Sequence, residues 1–271
     1  MTRYLGRERF EKNMERSRRD VLRVGGALAA VGLAGCIEER VTRRETRATD
    51  TNTWSLSPRE DDVALDAESF GNYVERMEDQ YDESGVWGLD AEAPETFDLA
   101  YVQRYAITRE TPGSPTNSEY SLVPESVDPE APVLIADSCL ARYDLGDDRY
   151  RYWLWAAADP TDGRLVRDVS LTRLSSGVRL RNGALTDAAS PSASDSEATV
   201  GLDTPPSGRF PLRGGNIDTT TARGAGGSYT VEWIGELEEL QSVNGVCEVE
   251  RTGEYDVFWA TSLGYSFEAI V

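Results

Sequence analysis

From residue 97 to the end of the chain, short runs rich in β-branched and aromatic residues alternate with breaks rich in Gly, Pro, Asp, Asn, Ser and Thr. That rhythm restricts the chain to a β-rich architecture. Phe97–Thr108 is the first run, and Pro132–Tyr143 carries Val133-Leu134-Ile135-Ala136. Tyr150–Ala157 and Leu165–Leu174 flank Asp159-Pro160-Thr161-Asp162-Gly163, whose turn chemistry predicts a hairpin. Asn182-Gly183, between Val178–Arg181 and Ala184–Thr186, predicts a tight two-residue turn. Tyr229, Val231 and Trp233 alternate with Thr230 and Glu232, the pattern of a half-buried strand. Asn244-Gly245 predicts another turn, and Val246–Glu250, Tyr255–Thr261 and Tyr265–Val271 complete the set. Roughly eight to ten strands at this spacing predict a mainly β, antiparallel, sandwich-like domain, with an α+β arrangement as the alternative.

One segment has a different period. Over residues 66–83, Phe70, Tyr73, Val74, Met77 and Tyr81 recur at helical spacing. Asp66 is placed to cap this helix, Leu65 to staple to Phe70, and Gly85 to end it. Its narrow apolar face predicts a helix lying on a sheet. Two stretches, 111–119 and 187–227, carry neither period. The second is long enough to be a disordered insertion, a functional loop or a boundary between sub-domains. Gly224-Ala225-Gly226-Gly227 does not lie between a strand and a helix, so it reads as loop, and no dinucleotide or phosphate-loop signature occurs.

The first 35 residues read as an address. Ser17-Arg18-Arg19-Asp20-Val21-Leu22-Arg23 is followed by an apolar run of small residues from Val24 to Gly35, then by Leu33-Ala34-Gly35-Cys36. Arg18 and Arg19 before an apolar pair resemble the twin-arginine export motif, and the last four residues resemble a lipobox. A charged segment, a short apolar segment and a small-residue cleavage site are the parts of a signal peptide. The run is shorter than the ~20 apolar residues that a spanning helix needs. The expectation is cleavage before Cys36, lipid on its sulfur, and a domain held on the extracellular face of the cell membrane. An uncut N-terminal anchor is the alternative. Residues 1–13 form a long charged extension, and Met14 offers a more typical start than Met1. Residues 37–62 are polar and threonine-rich, so 36–62 is expected to be a flexible tether and 63–271 the ectodomain. O-glycosylation of its threonines fits such a tether, and no N-x-[ST] sequon occurs.

Charge narrows the partners. The chain holds 48 acidic and 28 basic residues, for a net charge of -20. Residues 1–35 hold 8 of the basic and 4 of the acidic ones, which leaves 20 basic against 44 acidic. Nucleic acid is excluded as a partner, because phosphate recognition needs a basic surface. Lys12 is the only lysine and histidine is absent. This composition resembles proteins of salt-loving archaea, and the chain as a whole resembles twin-arginine-exported lipoproteins of halophilic archaea. That resemblance rests on residues 17–36 and on composition, and it carries over only Arg18, Arg19 and Cys36.

The missing residue types remove whole chemistries. Without histidine there is no Ser-His-Asp or Cys-His catalysis and no histidine-bound metal. Without lysine after residue 35 there is no Schiff base. No cofactor is expected. Carboxylates remain, and Asp144, Asp147 and Asp148, like Asp159, Asp162 and Asp168, cluster around turns without matching a calcium loop; no metal is assigned. With Cys36 lipidated, Cys139 and Cys247 are left, and an exported compartment permits a disulfide between them. The alternative is two buried free thiols. Trp153 and Trp155 fall on one face of a strand with Tyr150 and Tyr152 on the other, flanked by Arg149 and Arg151. The two tryptophans form either a buried face or an aromatic binding platform.

Three functions remain. The first is a non-catalytic binding or envelope-interaction protein that engages an envelope protein or a polysaccharide. The second is a carboxylate-based hydrolase of extracellular polysaccharide, which needs two facing carboxylates. The third is a solute-binding component of a transporter, against which the chain lacks the strand–helix alternation of two α/β lobes.

Overall fold

In a computed structural model, residues 43–57, 62–81, 96–109, 116–127, 132–160, 169–203, 205–254 and 256–270 are described. The mainly β expectation holds: among these residues one α-helix and a short 3-10 turn, Pro124–Ser126, accompany fifteen strands. In chain order these are β1 (Arg43–Leu56), α1 (Ala67–Tyr81), β2 (Phe97–Thr108), β3 (Asn117–Ser121), β4 (Pro132–Gly146), β5 (Arg149–Asp159), β6 (Val169–Leu180) and β7 (Ala184–Ala188). Then follow β8 (Ser192–Ala193), β9 (Glu197–Gly201), β10 (Ser207–Pro211), β11 (Gly215–Ala222), β12 (Gly224–Ala225), β13 (Ser228–Leu237), β14 (Gln241–Glu250) and β15 (Val257–Ile270). Every pairing among them is antiparallel. A five-stranded sheet runs β1-β15-β6-β13-β11, a seven-stranded sheet β12-β7-β14-β5-β4-β2-β3, and a small sheet β10-β9-β8.

Strand pleating assigns the layers. On β5, Tyr152, Leu154, Ala156 and Ala158 cluster with Leu171, Leu174, Val178, Trp233, Trp259 and Leu263 of the five-stranded sheet. The intervening Trp153, Trp155 and Ala157 cluster instead with Phe70, Tyr73, Met77 and Tyr81 of α1 and with Ala198, Val200 and Phe210 of the small sheet. The two large sheets therefore enclose one core. The helix and the small sheet cover the opposite face of the seven-stranded sheet. As the helical period predicts, α1 buries Phe70, Tyr73, Met77 and Tyr81, each such side chain contributing about 1.5–3 kcal/mol. Asp66 caps it, its Oδ1 accepting from Ser69 N at 2.8 Å. Leu65 also exchanges backbone hydrogen bonds with Ala100 of β2 at 2.7 and 3.0 Å, which fixes the helix entry on the sheet.

The inter-sheet core has one buried polar thread. Gln103 Oε1 accepts from Asn52 Nδ2 at 2.9 Å and from Trp54 Nε1 at 2.5 Å. Gln103 Nε2 donates to Ser138 Oγ at 2.8 Å, and Ser138 Oγ lies 3.3 Å from Thr261 Oγ1. Both of β1's contributions to this thread come from the segment expected to be a tether.

That expectation is corrected: residues 43–56 form a strand that pairs with β15 along its entire length, from Arg43 opposite Ile270 to Leu56 opposite Val257. Its alternation is Thr and Asn with scattered apolar residues, too polar to register as a buried period. The stretch 187–227 is also corrected, since it is occupied by the end of β7 and by β8 to β12, Gly224-Ala225 included. Three turn expectations fail for one reason. Turn residues mark a change of direction, and the same chemistry serves a corner between sheets or a close approach of backbones. β5 and β6 are not a hairpin, because β5 lies between β4 and β14 while β6 lies between β15 and β13; residues 161–168, Asp162 and Asp168 included, fall outside the described residues. Asn182-Gly183 carries the chain from β6 in one large sheet to β7 in the other. Asn244 and Gly245 sit in the middle of β14, both buried. A Cβ on Gly245 would lie 2.8 Å from Tyr229 Cε1 of the facing sheet.

Candidate functional site

The small sheet is pinned to the large one by specific contacts. Trp153 Nε1 donates to Asn244 Oδ1 at 2.9 Å. Gly208 of β10 crosses so close to that amide that a Cβ there would stand 2.9 Å from Asn244 Cβ. Arg151 pairs with Glu248 and donates from Nη1 to the Pro205 carbonyl at 2.8 Å, tying the approach to β10 down to β5 and β14.

With its inner residues Ala198, Val200 and Phe210 buried, the small sheet turns Glu197, Thr199 and Arg209 outward. Here an open recess of about 470 Å³ is lined by Ser190, Ser192, Glu197, Thr199, Ser207 and Arg209, over Val200, Gly201, Leu202 and Gly208. Hydroxyls with one carboxylate and one guanidinium can hold a hydroxylated or zwitterionic ligand by hydrogen bonds. Glycoside hydrolysis requires a pair of carboxylates, and Glu197 is the one carboxylate in this lining.

A second polar cluster fastens α1. Asp137, fully buried, accepts from Tyr81 Oη at 2.8 Å, from Arg104 Nε at 2.9 Å and from Arg104 Nη2 at 3.1 Å. Burial and the adjacent Asp137 carboxylate push the Tyr81 phenol well above its ordinary range. The hydrogen bond to Asp137 raises the Arg104 guanidinium. These hydrogen bonds hold helix to sheet.

The remaining candidates fall as follows. Trp153 and Trp155 are completely buried, so the binding platform is corrected to a core face: α1 and the small sheet cover it. Tyr81 meets Trp155 edge-on at 5.8 Å between ring centroids. The Cys139–Cys247 disulfide is also corrected, because both thiols are free and buried. Cys139 stands opposite Trp155 and joins the helix-side cluster, whereas Cys247 stands opposite Tyr152 and joins the inter-sheet cluster. They lie on opposite faces of one sheet, two strand spacings (~10 Å) apart across β5 and offset by three residues along it, roughly 10 Å more. No rotamer bridges that geometry. Burial raises both thiols far above their ordinary pKa, so neither is a nucleophile at neutral pH.

Asp147 and Asp148 form the tight turn between β4 and β5, at φ 54° and 58°, the signature of a type I′ hairpin. Asp144 accepts from Gly146 N at 2.8 Å beside that turn. Among the described residues no group of His, Cys, Asp or Glu is placed to hold a metal ion. Arg18, Arg19 and Cys36 lie outside the described residues, and among the described residues no helix is long and apolar enough to cross a membrane.

Sequence reasoning missed Asp137, Asn244 and the recess. The signal for the recess was present in Glu197-Ala198-Thr199-Val200-Gly201, a short alternation inside a stretch dominated by turn residues. Nothing distinguishes Asp137 from the other acidic residues until α1 closes over it. No family model, no curated protein and no solved structure matches this chain.

Proposed function

We propose that this protein is a lipid-anchored surface protein, exported through a twin-arginine route, that acts by binding rather than by catalysis. The observation that carries the reading is an order along the chain: Arg18-Arg19, the apolar run, and Leu33-Ala34-Gly35-Cys36 all precede the first strand at Arg43. Cleavage before Cys36 would remove no residue of the described domain. The missing histidine, and the lack of lysine after residue 35, support the binding role. The polar recess on the small sheet supplies a surface for a hydroxylated ligand such as an envelope polysaccharide or a glycosylated envelope protein.

Two measurements test it. Mass spectrometry of the mature N-terminal peptide is expected to show Cys36 as the first residue with lipid on its sulfur; an intact peptide across Gly35-Cys36 would overturn the anchor. Crosslinking in native salt on its own membranes, with Cys36→Ser as control, is expected to capture an envelope component that the unanchored form loses. Capture of nothing above the control would overturn the envelope-partner role.

A further inference from the structure

On the five-stranded sheet, pleating turns Leu56, Val257, Trp259, Val178, Leu180 and Tyr229 into the inter-sheet core, so the residues between them point outward. Register sets these outward side chains in rows. Ser55, Phe258, Arg179 and Ser228 form one row across four strands. Arg179 lies over the Phe258 ring, 4.6 Å from its centroid, and Arg181 lies over the same ring at 4.3 Å. Both arginines are exposed. Arg181 donates from Nη1 to Asp256 Oδ2 at 3.2 Å, whereas among the described residues no carboxylate pairs with Arg179. The next row is Thr53, Ala260, Gly177, Thr230 and Thr220. It carries no long side chain, and a Cβ on Gly177 would meet Thr230 Oγ1 at 2.4 Å and displace that hydroxyl. The result is a flat, hydroxyl-bearing shelf beside the two guanidiniums. Carboxylates return only in the third row, with Glu232, which Arg173 holds, and Asp218 opposite it.

We infer that Arg179, Arg181 and Phe258 form an anion-binding site for an acidic saccharide, whose sulfate, phosphate or carboxylate group sits on the arginines and whose hydroxyls meet the shelf at Thr53, Ser228 and Thr230. The site goes beyond the recess of the small sheet and requires neither that recess nor lipid on Cys36. A guanidinium seated over an aromatic ring keeps its N–H edge for an oxyanion, to which it donates two parallel hydrogen bonds. The shared ring also restrains two long side chains whose rotamer freedom would otherwise oppose binding. Serine and threonine hydroxyls both donate and accept, which matches the hydroxyls of a sugar. The domain as a whole is acidic, so recognition of an anion here depends on contact at this site and not on the field of the whole protein.

The test uses the full-length protein in detergent and 1 M potassium chloride, where nonspecific attraction reaches only about 3 Å. Anisotropy follows fluorescein-labelled dextran sulfate, polygalacturonate and uncharged dextran. One acidic polymer is expected to bind about tenfold more tightly than dextran, and which one does so distinguishes an ester oxyanion from a carboxylate. Arg179→Gln is expected to weaken that binding several-fold. Phe258→Leu, which keeps both charges, is expected to weaken it as well, with circular dichroism confirming the fold of each variant. Arg149→Gln removes an exposed arginine from β5 in the other large sheet and is expected to change nothing. Equal affinity for dextran and both acidic polymers, or binding of none, overturns the anion site. Equal loss in Arg149→Gln and Arg179→Gln overturns it too, by reducing it to surface charge. Unchanged binding in Phe258→Leu overturns the part assigned to the ring. Tighter binding of a phosphoserine peptide than of either polymer overturns the saccharide assignment.

Discussion

Asp137 shows what one buried charge contributes at the scale of a single residue. Its carboxylate is fully buried and satisfied by Arg104 from β2 and Tyr81 from α1. Asp137→Ala strands a guanidinium and a phenol, and the expected loss is about 3 kcal/mol in a urea titration. The buried thiols and phenols set the alkaline limit. Burial raises Cys139, Cys247, Tyr73, Tyr81 and Tyr152, the last to about 12. The folded state therefore keeps protons that the unfolded chain releases. Their stabilising contribution is complete below the unfolded values, about 8.5 for thiols and about 10 for phenols. It is lost as pH rises through the folded values. The urea midpoint is expected to fall from about pH 9 upward, and Cys139→Ala with Cys247→Ala to delay the first part of that fall. A flat profile to pH 11 would contradict the burial of these groups. The residue types were legible from the chain, as were the two faces of Trp153 and Tyr152. The cysteine pairing was not, because facing depends on strand order.

Single elements were legible where their period was strong. β2, β13 and α1 carry alternation or helical spacing in residues that can only be buried, and their limits follow. β1 was invisible because its buried positions include Asn52, which reads as solvent-facing until Gln103 supplies a partner. If β1 is part of the domain, a chain starting at residue 57 exposes the β15 edge and leaves Gln103 without Asn52 and Trp54. That truncation is expected to abolish cooperative unfolding by circular dichroism, whereas removal of a mere tether would leave the midpoint unchanged. Asp147-Asp148, read as a turn, makes the β4–β5 hairpin, whereas Asn244-Gly245 makes none. Two aspartates adopt the left-handed conformation, and a glycine serves a close packing contact instead. Gly245→Ala pushes a methyl toward Tyr229 and Val231 of the facing sheet, and an expected cost of about 1–3 kcal/mol distinguishes that contact from a surface turn, where the change would be almost neutral.

For the whole molecule, the β-rich class and the single helix could be read from composition and period, but the layering could not. Neighbouring strands in sequence, β5 with β6 and β6 with β7, part company into different sheets. The residues that form a corner are the same ones that form a hairpin. The recess arises from that layering, where the small sheet lies on the large one. The pairing of β1 with β15 also has a consequence in time. Among the described strands β1 pairs with β15 alone, with 226 residues between Arg43 and Ile270 and 200 between Leu56 and Val257. Such long-range pairing is slow to form. The β15 partner of β1 does not exist until residues 257–270 have been synthesised, so this edge pairs late. Under the proposed export route, which carries folded proteins, that places completion of the sandwich before the membrane is crossed.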